Sequence, residues 1–247
     1  MKGVKYRICG EGALLLEFGT QIDPQLNAQV RCVERVLEQR ALKGVLEFVS
    51  AYASLLILYN PLILSHAQLV DILEQIEWDI PSTLEEPHYL VEIPTCYHPS
   101  LGLDLEFVSA HTGLSLEEII QRHSAPDYLV YMLGFLPGFA YLGGLDPSLA
   151  VPRLAQPRAQ VSPGSVGIAH TQTGIYPLSS PGGWQIIAKT PLKLYDPTKN
   201  PPVLLQAGDF VRYKPICLEE YMHLEQMVLK GHYTPRCNLI DPKALRG

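Results

Sequence analysis

Two hydrophobic rhythms alternate through the first third of the chain. "KYRICG" and "ALLLEFG" are short strand-like runs, and Gly10 and Gly12 between them suit a tight turn. From Asp23 to about Arg40 the period lengthens. Leu26, Val30, Val33 and Leu37 recur on one helical face, and Pro24 suits a first turn. "GVLEFVS" and "SLLILYN" return to strand character, rich in branched and aromatic residues. Ser65 to about Trp78 predicts a second helix, with Leu69, Ile72, Leu73 and Ile76 as its stripe and Ser65 as N-cap. "HYLVEIPT" completes an order ββαββαβ, the pattern of a small α+β domain with helices on one face.

"DIPSTLEEPHY", Asp79 to Tyr89, carries two prolines, several acids and little apolar content, as a linker does. It places a boundary near Glu86 and divides the chain into domains 1–85 and 86–247. Beyond it "LDLEFVSAHTG" reads as a helix stopped by Gly113, and "SLEEIIQRHS" opens on a capping box, Ser115 with Glu118. From about Tyr128 short apolar runs are divided by proline and glycine. "YLVYMLG", "SVGIAHT", "GWQIIAKT" and "DFVRYKP" are strands of an expected antiparallel barrel or sandwich. "LEEYMHLEQMVLKG" is helical, and "RCNLIDPKALRG" is expected to be a loose tail.

"LGFLPGFAYLGGLD", Leu133 to Asp146, is apolar enough for a core yet broken every few residues. The strand before it is expected to end at Tyr131–Leu133. Gly134 and Pro137–Gly138 then force turns that hold Phe135, Phe139 and Tyr141 as a rigid apolar wall. The polar counterpart is Pro157 to Trp184, where Arg158, Ser165, Gln172, Thr173, Tyr176 and Ser180 are spaced by glycines and prolines. Donors on rigid turns, with few carboxylates, suit an amide, lactam or phosphate ligand better than a glycoside.

Composition narrows this. Of 247 residues, 47% are hydrophobic and 18% charged, an ordinary folded balance, and a net charge of −6 without basic clusters argues against a nucleic-acid surface. Five cysteines without a CxxC pair read as reduced thiols, and eight histidines show no metal-ligand spacing, so no metal is expected. The opening "MKGVKYRICG" has no signal-like apolar run, and no segment reaches membrane-spanning length; a cytoplasmic location is expected. "GEGALL" at Gly10 lacks the third glycine of a dinucleotide loop, and no P-loop occurs. "PGSVG" at Pro163 resembles a nucleophile elbow with proline in place of its first glycine, so Ser165 reads as a turn hydroxyl. His123 closes a helix. It reads as a helix cap, or as an acid–base group at a cleft rim.

"YMLGFLPGFAYLGGL", "PGSVGIA", "QTGIYP" and "SPGGWQIIAKTP" together resemble the 5-oxoprolinase B-subunit family, also labelled allophanate hydrolase subunit 1, which includes a sporulation-kinase inhibitor. "GEGALLLEFG" and "AYASLLILYNP" extend the likeness to the first domain. The resemblance implies an α+β N-terminal domain followed by a mainly β, cyclophilin-like barrel. It also implies a protein that works with the C and A subunits of 5-oxoprolinase to open the lactam of 5-oxoproline to glutamate with ATP and its Mg2+. The ATP would sit at a site shared with a partner. Relatives of the same kind serve urea or allophanate metabolism or grip a histidine kinase. Departures from the family pattern fall at Ala53, at His98–Leu101, and at His170 and Thr171, where glycines are common. Lactam activation needs cations and donors, for which Arg158, Gln172, Tyr176 and His123 are the catalytic candidates. The candidate binding residues are Phe135, Pro137, Gly138, Phe139, Tyr141, Ser165, Thr173, Ser180, Gly182, Gly183, Trp184 and Lys189.

Overall fold

A computed structural model describes residues 3–76, 78 and 88–240. The chain divides into two compact units, Met1–Glu86 and Pro87–Gly247. The expected linker lies, apart from residues 88 and 89, outside the described residues.

The first unit runs β1 (Lys5–Ile8), β2 (Ala13–Glu17), α1 (Pro24–Arg40), β3 (Val45–Ser50), β4 (Ser54–Tyr59) and α2 (His66–Gln75). Its antiparallel sheet has the order β1-β2-β4-β3. Alternation along β2 and β4 sends Leu14, Leu16, Leu55 and Ile57 to one face, where Val30, Val33 and Leu37 of α1 and Leu69 and Leu73 of α2 complete the core. Each such side chain contributes about 1.5–3 kcal/mol on burial. Asp23 caps α1 by accepting from the N–H groups of Gln25 and Leu26, and Ser65 and Gln68 close a capping box on α2. The second helix stops at Gln75, short of the expected Trp78, whose indole Nε1 donates to the Leu73 carbonyl at 2.9 Å.

The seventh element of the expected ββαββαβ order belongs elsewhere. "HYLVEIPT" is β5 (His88–Cys96), a strand of the second unit. It is buried on both faces along most of its length, which a barrel wall permits and a one-sided sheet does not.

The second unit continues with α3 (Leu105–Thr112), α4 (Leu116–Ser124), β6 (Tyr128–Leu133), β7 (Ala140–Gly143), β8 (Arg158–Val161), β9 (Ser165–Ala169) and β10 (Gln172–Ile175). It ends with β11 (Ser180–Gly182), β12 (Gln185–Lys189), β13 (Phe210–Ile216), α5 (Leu218–Leu229) and β14 (Cys237–Ile240). Seven described strands close a barrel in the order β12-β9-β10-β7-β6-β13-β5, sealed where Lys189 of β12 pairs with Cys96 of β5. Ile93, Val130, Leu142, Val166, Ile168 and Val211 belong to its core, which Val108 of α3 and Ile119 of α4 join.

Three expectations are corrected. The barrel is not wholly antiparallel: β5 and β13 run parallel, which the long excursion between them permits. The tail is not all loose, because Cys237–Ile240 pairs with the first half of β5, an edge that β12 leaves open. Ala140–Gly143, read as wall and turn, is strand β7 between β6 and β10. β8 and β11 form a separate two-stranded ribbon beside the barrel.

Candidate functional site

The broken apolar run and the polar stretch meet at one cavity of about 220 Å3. After β6, the Leu136 carbonyl accepts from Phe139 N–H (3.0 Å) and the Phe139 carbonyl from Gly134 N–H (3.1 Å), so the chain turns back into β7. Gly138 takes φ 81 in that turn. Phe139 points inward, 2% exposed, and packs edge-on against Phe135, Tyr141, Tyr176 and Trp184 at centroid distances of 5.5, 4.9, 5.4 and 5.6 Å. Phe135 instead stands 60% exposed, on a backbone at φ 66 that a bulky residue adopts only at a cost.

The other wall is the β8–β11 ribbon with its flanks: Pro157, Pro181, Gly182, Gly183 and Trp184. Gly182 is required by space, since a Cβ there would lie 2.6 Å from the Tyr176 hydroxyl oxygen. Burial holds the hydroxyls of Tyr141 and Tyr176 above the ordinary tyrosine value, so both remain neutral donors; the Arg153 cation opposes that shift in each. Arg153 is the cation of this cavity, and no carboxylate lines it among the described residues. Sequence reasoning missed Arg153. Its signal is a lone basic residue in the proline-punctuated segment "VPRLAQPR", which also holds the expected Arg158.

Other candidates lie apart. Pro137 is exposed and, like Gly138, shapes the turn without lining the cavity. Arg158, Ser165 and Lys189 line a second cavity of about 150 Å3 with Ser100, Leu101, Leu103, Gln160, Val161, Ser162 and Ile186. Ser165 follows a turn in which Gly164 takes φ 81, and a Cβ on Gly164 would approach the Thr190 carbonyl oxygen to 2.3 Å. This turn joins strands β8 and β9, so "PGSVG" is not the strand–turn–helix of a nucleophile elbow. Gln172 begins β10 opposite Ala169, and Ser180 is buried opposite Val161; neither lines these two cavities.

His123 is neither at a rim nor a charged cap. Its ring is fully buried, stacked on Tyr213 at 4.5 Å, with Nδ1 2.7 Å from the Tyr97 hydroxyl and Nε2 2.9 Å from Thr173 Oγ1. Thr173 donates to the Gly167 carbonyl (3.2 Å), which leaves its oxygen to accept. Nε2 therefore carries the proton, and Nδ1 accepts from Tyr97. Burial lowers the His123 pKa from 6.5 to about 3, so the imidazole is neutral. Thr173, expected to touch ligand, is committed to this interior network.

Ala53 ends the β3–β4 turn of the first unit, while Ser100 and Leu101 bring the divergent His98–Leu101 segment to the second cavity. His170 takes φ 51, a conformation that glycine adopts freely. Among the described residues no helix is long and apolar enough to cross a membrane.

Residues 4–205 match the family model described as carboxyltransferase domain, subdomain C and D. The chain is 40% identical over 230 residues to the 5-oxoprolinase B subunit of Bacillus subtilis, covering 88% of this chain and 96% of that protein. It is 38% identical over 219 residues to the 5-oxoprolinase B subunit of Escherichia coli O157:H7, covering 87% and 97%. Among solved structures, TTHA0988 superposes with a TM-score of 0.73 at 37% identity over 83% of this chain, which spans only 40% of that longer chain. The urea carboxylase of Kluyveromyces lactis superposes with a TM-score of 0.82 at 20% identity, covering 96% of this chain and 24% of that one, a likeness of fold.

Proposed function

The chain belongs to the 5-oxoprolinase B-subunit family, and on that premise we propose that it is one component of an ATP-dependent 5-oxoprolinase. The reaction is 5-oxoproline + ATP + two waters to L-glutamate + ADP + phosphate, carried out with the C and A subunits and not by this chain alone. The supporting observation is the aromatic cavity that, among the described residues, is lined by one guanidinium and no carboxylate. 5-Oxoproline is a small, flat lactam bearing one carboxylate. Aromatic walls suit the ring, Arg153 suits the carboxylate, and the neutral tyrosine hydroxyls can donate to the lactam carbonyl. A cavity of this size orients a molecule of few heavy atoms and excludes water from its faces.

The lactam is a resonance-stabilised amide. Transfer of the terminal phosphoryl group to its oxygen, with ADP leaving, opens the ring carbon to water; expulsion of the amine from that hydrated carbon leaves an acyl phosphate, and a second water displaces the phosphate to give the carboxylate of glutamate. The chain has no P-loop, and in this reading ATP and its Mg2+ are held at a site composed with a partner protein. His123, neutral and enclosed, has no part in proton transfer to substrate. Mixing the purified chain with the folded A and C subunits, 5-oxoproline and ATP tests the proposal. Glutamate must form in amounts that match ADP; its absence removes the reading.

A further inference from the structure

The second cavity has a chemistry that the lactam reading does not use. It is lined by two cationic residues, Arg158 and Lys189, by Ser162 and Ser165, by Ser100, whose Oγ lies 2.8 Å from His98 Nδ1, and by Gln160, whose Nε2 donates to Ser179 Oγ at 3.0 Å; no carboxylate lines it among the described residues. Arg158 is fixed from behind: its Nη2 donates to Asp104 Oδ1 at 2.6 Å, and Asp104 Oδ2 accepts from Ile186 N–H at 2.6 Å. That pair neutralises Arg158 in part and leaves Lys189, which has no ion pair among the described residues, as net positive charge at the cavity. Arg158 Nη1 is buried with no hydrogen-bond partner among the described groups.

We infer that this cavity is a binding subsite for a phosphate-type oxyanion. A tetrahedral anion offers acceptors in several directions, matching a fixed guanidinium, a mobile ammonium and hydroxyls arranged around one space. The volume of about 150 Å3 lies below the range of roughly 300–1,000 Å3 typical of sites for drug-sized molecules. The site thus takes the oxyanion and leaves any larger attached group outside. Two structural features hold its shape. The Gly164 turn delivers Ser165, and the Asp104 carboxylate ties Arg158 to the β12 backbone. The inference stands on this geometry and does not require that the substrate be 5-oxoproline.

Because removing Arg158 would strand the buried Asp104 carboxylate, Lys189 is the residue to probe. Inorganic phosphate is titrated into the purified chain alone, followed by calorimetry and by 31P line broadening. The wild type should saturate with a Kd near about 1 mM, and Lys189→Gln should weaken binding about 10-fold or more with unchanged thermal unfolding. Ser165→Ala should weaken it less. Raising salt should weaken wild-type binding more than that of Lys189→Gln. Competition by MgATP but not MgADP assigns the anion to a terminal phosphoryl group, whereas competition by neither assigns free phosphate. Failure to saturate, an unchanged Kd in folded Lys189→Gln, or displacement by acetate as effective as by sulfate would overturn the inference. No partner protein is needed, so this test can fail while glutamate formation succeeds, and the reverse.

Discussion

Asp104 and Arg158, 54 residues apart in sequence, meet at 2.6 Å, and the same carboxylate accepts the Ile186 N–H. Asp104 precedes α3 but makes no side-chain capping bond there. Its two oxygens instead join the ribbon strand β8 to the barrel strand β12. The carboxylate is nearly buried and Arg158 about a quarter exposed, so the pair is only partly screened by water.

Asp104→Asn keeps the shape but turns an amide N–H2 toward one of two donors. A loss of about 1–3 kcal/mol in unfolding free energy is expected, measured as a lower urea midpoint with unchanged m. If the midpoint does not move, the pair does not organise the ribbon.

Phe139 and Phe135 should behave oppositely. Phe139 is core, touching four other aromatic rings, and Phe139→Ala should cost about 3–5 kcal/mol. Phe139 is therefore a poor probe of binding. Phe135→Gly removes an exposed ring and relieves the backbone at φ 66, so stability should stay within about 1 kcal/mol of wild type or rise. In the reconstituted enzyme it should raise KM for the substrate. A large loss of stability in Phe135→Gly would show that its ring is a packing element.

His123 gives a pH signature. Its folded-state pKa is about 3 against 6.5 ordinarily, so below pH 6.5 the unfolded chain binds a proton that the folded chain refuses. Stability contributed by the neutral ring is complete above 6.5 and declines as pH falls toward 3, at up to about 1.4 kcal/mol per pH unit. His123→Gln should be less stable at pH 7 and show a shallower slope between pH 6.5 and 4.5. Parallel slopes for the two proteins would mean that the imidazole titrates freely in the fold.

Gly164→Ala should lower the melting temperature by several degrees, because φ 81 and the Thr190 carbonyl at 2.3 Å leave no place for a methyl group. An unchanged melting point would mean that the turn can relax, and with it the placement of Ser165.

Much of this was legible along the chain where local chemistry decides. Asp23 stands before Pro24, Ser65 before α2, and Ser115 with Glu118 at α4; in each case the cap is a property of a few adjacent residues. The meeting of the Phe135–Tyr141 wall with the Pro157–Trp184 stretch also followed from texture, since rigid turns bearing aromatic and polar groups need a partner surface. What escaped depended on distant residues. β5 reads as a strand, yet only its pairing with β13, β12 and β14 assigns it to the barrel. β7 and β14, four residues each, are too short to carry a period. Tyr97 and Thr173, 26 and 50 residues from His123, draw its ring inside. Arg158 and Gly182 are register partners on the ribbon but line different cavities, because Asp104 holds the guanidinium. Arg153 lies outside that tether and lines the aromatic cavity.

In the proposed function this chain presents 5-oxoproline through the aromatic cavity and Arg153. The most direct measurement is glutamate formation against 5-oxoproline concentration in the reconstituted three-component mixture, comparing wild type with Arg153→Gln. ATP-dependent glutamate is expected with the wild type, and for Arg153→Gln a KM raised about 10-fold or more by loss of a charge-assisted contact, with kcat largely retained. No glutamate from folded components, or an Arg153→Gln enzyme with the wild-type KM, would contradict it.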